Sequence, residues 1–315
     1  MNARKGTVAL ILGLVGLTVL AATALPAAER KEPSAQEIEK ITAAAAGVQP
    51  AVKPEKPRKL LVFSVAYGFW HTAIPYGKAA ADALARKTGA FEATVSDDLA
   101  NFEPDKLKEF DAVCFNNTNE EIFLPENFAK LAGEEKAKAA ARDERLKKSL
   151  AAYLAGGKGL AVIHAGVACF RQWPEFGEIM AARFDNHPWG SGSTVTLKVD
   201  DPAHPVARAF KGEPFTVTDE IYQVKDPYSR ERVRVLLSID TARTNMNVKG
   251  INRTDGDFAM TWVKSYGQGR VFYCALGHEH PLFWNPRVLQ HFLDGLQFAL
   301  GDLKADTTPS AKVAK

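Results

Sequence analysis

Seven histidines occur in this chain of 315 residues, and where they fall is its most informative chemistry. His71 lies just beyond the apolar run 59–65, and His164 directly ends the run 159–163. His278 and His280, in the segment GHEHP, follow a third run, 270–276. Each run reads as a buried strand, and in an open α/β sheet ligands bind just past the carboxyl ends of the strands. Imidazole exchanges protons near neutral pH and ligates metals. Three strand ends carrying histidine therefore point to one polar site, with His71, His164 and His278 as candidate catalytic groups. Residue types alone leave the reaction open.

Glu220 joins them as a fourth catalytic candidate, because a carboxylate beside imidazoles serves as metal ligand or general base. His278 and His280 stand two positions apart and share one face if the backbone is extended. With His71 they form a candidate metal set. Mixed imidazole and carboxylate donors suit a divalent metal such as zinc better than calcium. Trp70, Trp173, His187, Tyr222 and Trp284 fall in the same connecting segments. Aromatic rings pack on the apolar faces of sugars while polar groups fix their orientation, so these five are the expected substrate contacts. Ordinary burial of the aromatics is the competing explanation. His204 and His291 read as structural.

Several chemistries are disfavoured. The turn after the run 159–163 reads VIHAG, with no Ser or Cys at the nucleophile position, and Cys169 comes five residues later. A Cys-dependent amidotransferase is not expected. There is no Walker A sequence and no Gly-x-Gly-x-x-Gly after the first strand, so no tightly held nucleotide is expected. The net charge of +3 is matched by the eight basic and five acidic residues in 1–58. The remainder is close to neutral and offers no basic stripe for nucleic acid.

The elements that must position these residues follow from periodicity. A basic start, a short uncharged stretch and small residues before position 28 describe a secretory signal over 1–28. The expected product is exported, periplasmic or secreted, with no stable membrane span. Residues 29–58, rich in Pro, Ala, Lys and Glu, read as a disordered linker, and 302–315 as a disordered tail. One domain, 59–301, lies between them. Strand, helix and strand alternate from 59 to 163, which implies a parallel sheet with helices on its faces. Runs at 194–199, 215–217, 233–239 and 258–263 add a β-rich extension toward the C-terminus, and 288–300 forms a closing helix. Cys114 and Cys274 fall inside strands, so the fold is expected to need no disulfide.

The segments GFWH (68–71), GKGLAVIHA (157–165), WPEFG (173–177), FDNHP (184–188), DEIY (219–222) and YGQGRVFYCALGH (266–278) together resemble the ThuA-like (trehalose utilisation) family. The loop GVACF (166–170) departs from it, since members often carry more polar residues there. The resemblance implies a flavodoxin-like, class I glutamine amidotransferase-like fold: a doubly wound, mostly parallel sheet without the amidotransferase cysteine. It also implies a role in carbohydrate catabolism, often beside sugar dehydrogenases. The expected activity is hydrolysis or isomerisation of a sugar or keto-sugar derivative in a His/Glu cleft, with or without a metal. The alternatives are a non-catalytic sugar-binding module and a partner of a sugar dehydrogenase.

Overall fold

The computed structural model describes residues 30–313. In chain order the first elements are helix α1 (Ala35–Ala46), strand β1 (Lys59–Phe63), α2 (Ile74–Thr88), β2 (Glu92–Val95), α3 (Pro104–Leu107) and β3 (Ala112–Asn116). There follow α4 (Gly133–Ala155), β4 (Gly159–Ile163), α5 (Pro174–Met180), β5 (Arg183–Val199) and β6 (Phe215–Lys225). The chain closes with β7 (Arg234–Ile239), β8 (Ala259–Tyr266), β9 (Gly269–Cys274) and α6 (Pro286–Leu300). All nine strands form one sheet in the order β2-β1-β3-β4-β9-β8-β7-β5-β6. The run from β2 to β9 is parallel, and the run from β9 to β6 is antiparallel.

The parallel half explains the apolar runs. β3 and β4 are buried at every position, as strands covered on both faces must be. Cys114, Asn116 and Ile163 face Ala80 and Leu84 of α2 and Phe292 and Leu296 of α6. Phe115 points the other way, onto Phe102, Phe170 and Phe176. α2 carries a proline in its first turn and ends on Gly89 in the left-handed conformation, φ +63°, which glycine adopts without steric cost.

Two expectations about order are corrected. Residues 29–58 are not a disordered linker where they are described. Ser34 and Glu37 form a reciprocal capping box that starts α1, and Ile41 and Ala45, one turn apart, are buried against the domain. Beyond α1 the chain is pinned to α6: Gln297 accepts from the Ala51 amide at 2.7 Å and donates to the Val52 carbonyl at 2.7 Å. Arg58 pairs with buried Asp302 at 2.6 Å. The tail is likewise packed, with Leu303 buried and the Ser310 amide donating to the Val233 carbonyl at 2.9 Å. Composition hid both segments because a few small residues and backbone hydrogen bonds suffice to dock them. Residues 1–28, read from the sequence as a secretory signal, lie outside the described residues.

The β-rich part is also placed differently. β5 to β8 extend the sheet, but β9 returns to pair in parallel with β4, register Gly159↔Arg270 to Ile163↔Cys274. The antiparallel strands are thus an insertion before the last parallel strand. β5 is much longer than the run 194–199, and its pairing with β6 shifts register between Phe184 and Ser193. That irregular stretch contains Pro188 and Gly190, which mask a strand signal. Among the described residues no helix is long and apolar enough to cross a membrane. The three cysteines are free and buried.

Candidate functional site

The chain leaves β4 through a strained turn. His164 has φ +48°, in the left-handed region that a β-carbon disfavours, and opens a 3-10 turn over His164–Ala168. Such strain persists only where surrounding contacts fix it. The His164 Nδ1 donates to the Ala275 carbonyl, just past β9, at 2.6 Å. That bond fixes Nδ1 as a protonated ring nitrogen. Gly277, φ +133°, lets the loop after β9 pass close by: a β-carbon there would lie 3.0 Å from Ile163 Cγ2 and 3.5 Å from His164 Cβ.

His71, His164, Glu220 and His278 converge in this crevice, each offering a donor atom, and these atoms all lie within 4.8 Å of one another. The three imidazoles form a near-equilateral triangle of ring centroids, 5.2, 5.3 and 5.3 Å apart, with each pair of rings close to perpendicular. Glu220 Oε2 lies 3.1 Å from His278 Nδ1 and 3.4 Å from His164 Nε2. His71 Nδ1, His164 Nε2 and His278 Nδ1 are nevertheless buried without a hydrogen-bond partner. Buried polar atoms are rarely left so, and each instance needs an explanation.

A ring of supporting contacts holds the four. The Tyr222 ring lies on His164 at 4.3 Å, and its hydroxyl is 3.2 Å from His71 Nε2. Because His71 Nδ1 has no partner, we assign the His71 proton to Nε2, which then donates to the Tyr222 oxygen. Asp219, fully buried, accepts from the amides of Gly277, His278 and Glu279 at 2.9, 3.0 and 2.8 Å. It thereby shapes the loop that carries His278. Asn117 donates to the Gly277 carbonyl at 3.1 Å from the end of β3.

Electrostatics follow from burial and neighbours. Burial, reinforced by His164 and His278, drives the His71 pKa down to about 2, so this ring is neutral. Burial opposes charge on His278 as well, but the approach of Glu220 outweighs it and raises the pKa above the ordinary histidine value. Burial would raise Glu220, yet His164 and His278 hold it below the usual carboxylate range. Burial, with Glu220 adding to it, pushes the Tyr222 phenol up, so it remains protonated.

Other residues expected at the site are placed variously. Half-exposed His187 stands at the rim, Nδ1 3.6 Å from Glu220 Oε1. Trp70 is adjacent to His71, under the Arg30 guanidinium at 4.4 Å. His280 is not in the donor cluster, contrary to the expected His278/His280 pair. It opens the next 3-10 turn, stacks on Tyr76 at 3.9 Å, and its Nε2 meets Thr72 Oγ1 at 2.9 Å. The chain turns after β9 instead of continuing extended, so the two side chains diverge. Trp173 packs on Phe170 and Phe176, and Trp284 lies against Tyr76 and Lys40. Their rings meet the core and α1, respectively, and not the cluster. Reasoning from the sequence gave no role to Asp219 or to exposed Phe69, whose ring meets His71 at 4.7 Å and lies parallel to His278 at 6.3 Å. An aspartate directly before Glu220 in DEIY was the available signal for the first.

The fold and site together define a mixed α/β-sheet protein with an imidazole–carboxylate cluster at its strand ends. The ThuA family, described as trehalose utilisation, matches residues 59–299, and the chain belongs to it. No curated protein matches the chain. Among solved structures, a thua-like protein from Bacteroides uniformis ATCC 8492 superposes with a TM-score of 0.57 at 20% identity, covering 78% of this chain and 93% of that one. Another, from Parabacteroides merdae ATCC 43184, gives 0.50 at 18% identity over 82% and 100%. At such identities the likeness concerns the fold.

Proposed function

We propose that the chain is an exported enzyme of carbohydrate catabolism that hydrolyses or isomerises a sugar or keto-sugar derivative at the His71–His164–Glu220–His278 cluster. We further infer that one divalent transition metal such as zinc is held there. The carrying observation is the convergence of four donors, three of them buried imidazole nitrogens without partners. Two ligands of a tetrahedral zinc, each at ~2.0–2.1 Å, lie about 3.3 Å apart. The His278–Glu220 and His164–Glu220 distances, 3.1 and 3.4 Å, fit that spacing. The hydrogen bonds of the remaining ring nitrogens, His164 to Ala275 and His71 to Tyr222, are the outer-shell contacts that orient metal-binding imidazoles. A bound metal would polarise a substrate carbonyl or acidify a water molecule.

The protein's own groups then divide the remaining work. Glu220, kept ionised by His164 and His278, would help hold that metal, and half-exposed His187 beside it exchanges the reaction's proton with solvent. The Tyr222 hydroxyl, kept protonated, orients His71. Phe69 at the mouth offers an aromatic face to a sugar ring.

The doubly wound, amidotransferase-like form of the sheet belongs to the same reading. Supporting it are helices against both faces of β3 and the strained His164 turn where that fold carries its nucleophile. Cys169 does not supply that nucleophile in this reading, since burial pushes its thiol pKa up and away from the thiolate. The test is product formation from a panel of disaccharides and their keto derivatives. Turnover that falls at least about 100-fold in Glu220→Gln and His187→Gln, with the fold retained, is the expected result. Sugar binding without any product would leave a binding module and overturn the enzymatic reading.

A further inference from the structure

Beside the cluster lies a second, separate polar feature. Arg171, Arg183, Lys225 and Asp185, with Phe170 and Phe184, line a cavity of about 260 Å³. Three cations face one carboxylate, and that carboxylate is already engaged. Asp185 Oδ2 accepts from Gln223 and Asn252 at 2.7 and 2.8 Å, and Oδ1 lies 3.8 Å from Lys225. Arg171 is anchored by the Ala168 carbonyl and Glu120, both at 3.3 Å, and its guanidinium stands 5.4 Å from the Phe184 ring. Arg183 makes one hydrogen bond, to the Pro174 carbonyl at 3.4 Å, and no ion pair among the described residues. Its side chain passes close over Gly177, where a β-carbon would lie 2.7 Å from Arg183 Nε. A guanidinium with unused donors, lining a cavity, is suited to a planar or tetrahedral oxyanion.

One aromatic ring joins this cavity to the cluster. Phe184 meets Tyr222 at 4.7 Å and His187 at 6.3 Å, and those residues in turn meet His164 and Glu220. Arg183 pairs with Lys225, and Phe184 with Val224, in the β5–β6 register, so both cations sit on the strand pair that also presents His187 and Glu220. We propose that the cavity framed by Arg171, Arg183 and Lys225 is an oxyanion subsite that receives the carboxylate or phosphate group of an acidic sugar derivative. This rests on the functional reading above only in supposing that the other end of that sugar reaches Glu220. The polar frame binds the anionic group, and Phe184 packs against the sugar between the two sites.

The experiment is calorimetric titration of the full chain with glucose, glucuronate and glucose 6-phosphate at low and high salt. Both acidic sugars, or one of them, bind more tightly than glucose, and the preference shrinks as salt rises. Whichever acid binds best identifies the anion as carboxylate or phosphate. Arg183→Ala weakens the preferred acid by about tenfold or more, leaving glucose unchanged. Lys225→Met, at an exposed side chain, tests the same frame without threatening the fold and weakens the acid severalfold. Equal affinity for all three sugars, or acid binding unchanged in both variants, overturns the subsite. Metal content and turnover are read in parallel: acid-selective binding lost in Arg183→Ala, in a protein with neither metal nor turnover, would sustain the subsite while removing the enzymatic reading.

Discussion

Asp219→Asn probes how the loop carrying His278 is held. In the native protein the two carboxylate oxygens accept three backbone amides, Gly277 on Oδ2 and both His278 and Glu279 on Oδ1. Asparagine preserves the shape but has one acceptor oxygen. If that oxygen takes the Oδ1 position, the side-chain NH2 faces the Gly277 amide, donor against donor. The flipped rotamer is worse, because it sets the NH2 against two amides. One buried amide left unsatisfied costs about 1–3 kcal/mol, and losing charge assistance on the other two raises the total to roughly 2–4 kcal/mol. For a domain of this size that lowers the melting temperature by roughly 5–15 °C. If a metal is held there as proposed, displacing His278 also weakens its binding by about 10–100-fold, the usual effect of losing an outer-shell contact. Calorimetry in chelator, followed by zinc titration against a competing chelator, separates the two effects. A variant that melts within a degree of wild type and binds zinc equally well would refute the assignment of loop geometry to Asp219.

Other outcomes are equally open to measurement. His291, fully buried on α6 with Nδ1 on the Val206 carbonyl at 2.7 Å, has its pKa lowered by burial to about 4. A depressed folded-state pKa means stability present above the unfolded value of about 6.5 and lost as pH falls through 4. Denaturant unfolding should therefore show the stability difference between wild type and His291→Gln shifting by about 3 kcal/mol toward the variant between pH 7 and pH 4. A difference that stays constant across that range would contradict the buried neutral imidazole. Ile41→Ala, in α1, should cost roughly 2–4 kcal/mol because it deletes buried methyl groups in a packed interface. No loss on thermal melting would restore the view of 29–58 as a loose linker.

β1, β3 and β4 were legible because burial on both faces writes them as apolar runs, and a histidine ending such a run marks itself as a crevice residue. His71, His164 and His278 were visible for that reason, and Glu220 as a carboxylate that could stand beside imidazoles. His280 was misjudged because spacing of two residues implies a shared face only on extended backbone, and a 3-10 turn begins at that residue. Tryptophan gave a weaker signal. The same ring suits core and sugar alike, and Trp173 and Trp284 went to packing. Long-range contacts were invisible: nothing local says that Gln297 will hold residues 51 and 52, or that Asp219 will gather three amides after β9.

The most direct test of the central claim is metal stoichiometry of the protein purified without chelators, repeated for His278→Ala and for Glu220→Gln. One equivalent of a divalent transition metal in wild type, reduced to a small fraction in both variants while they remain folded, is the expected result. Wild-type protein that takes up no zinc even when zinc is added, or variants that bind it as tightly as wild type, would contradict the account.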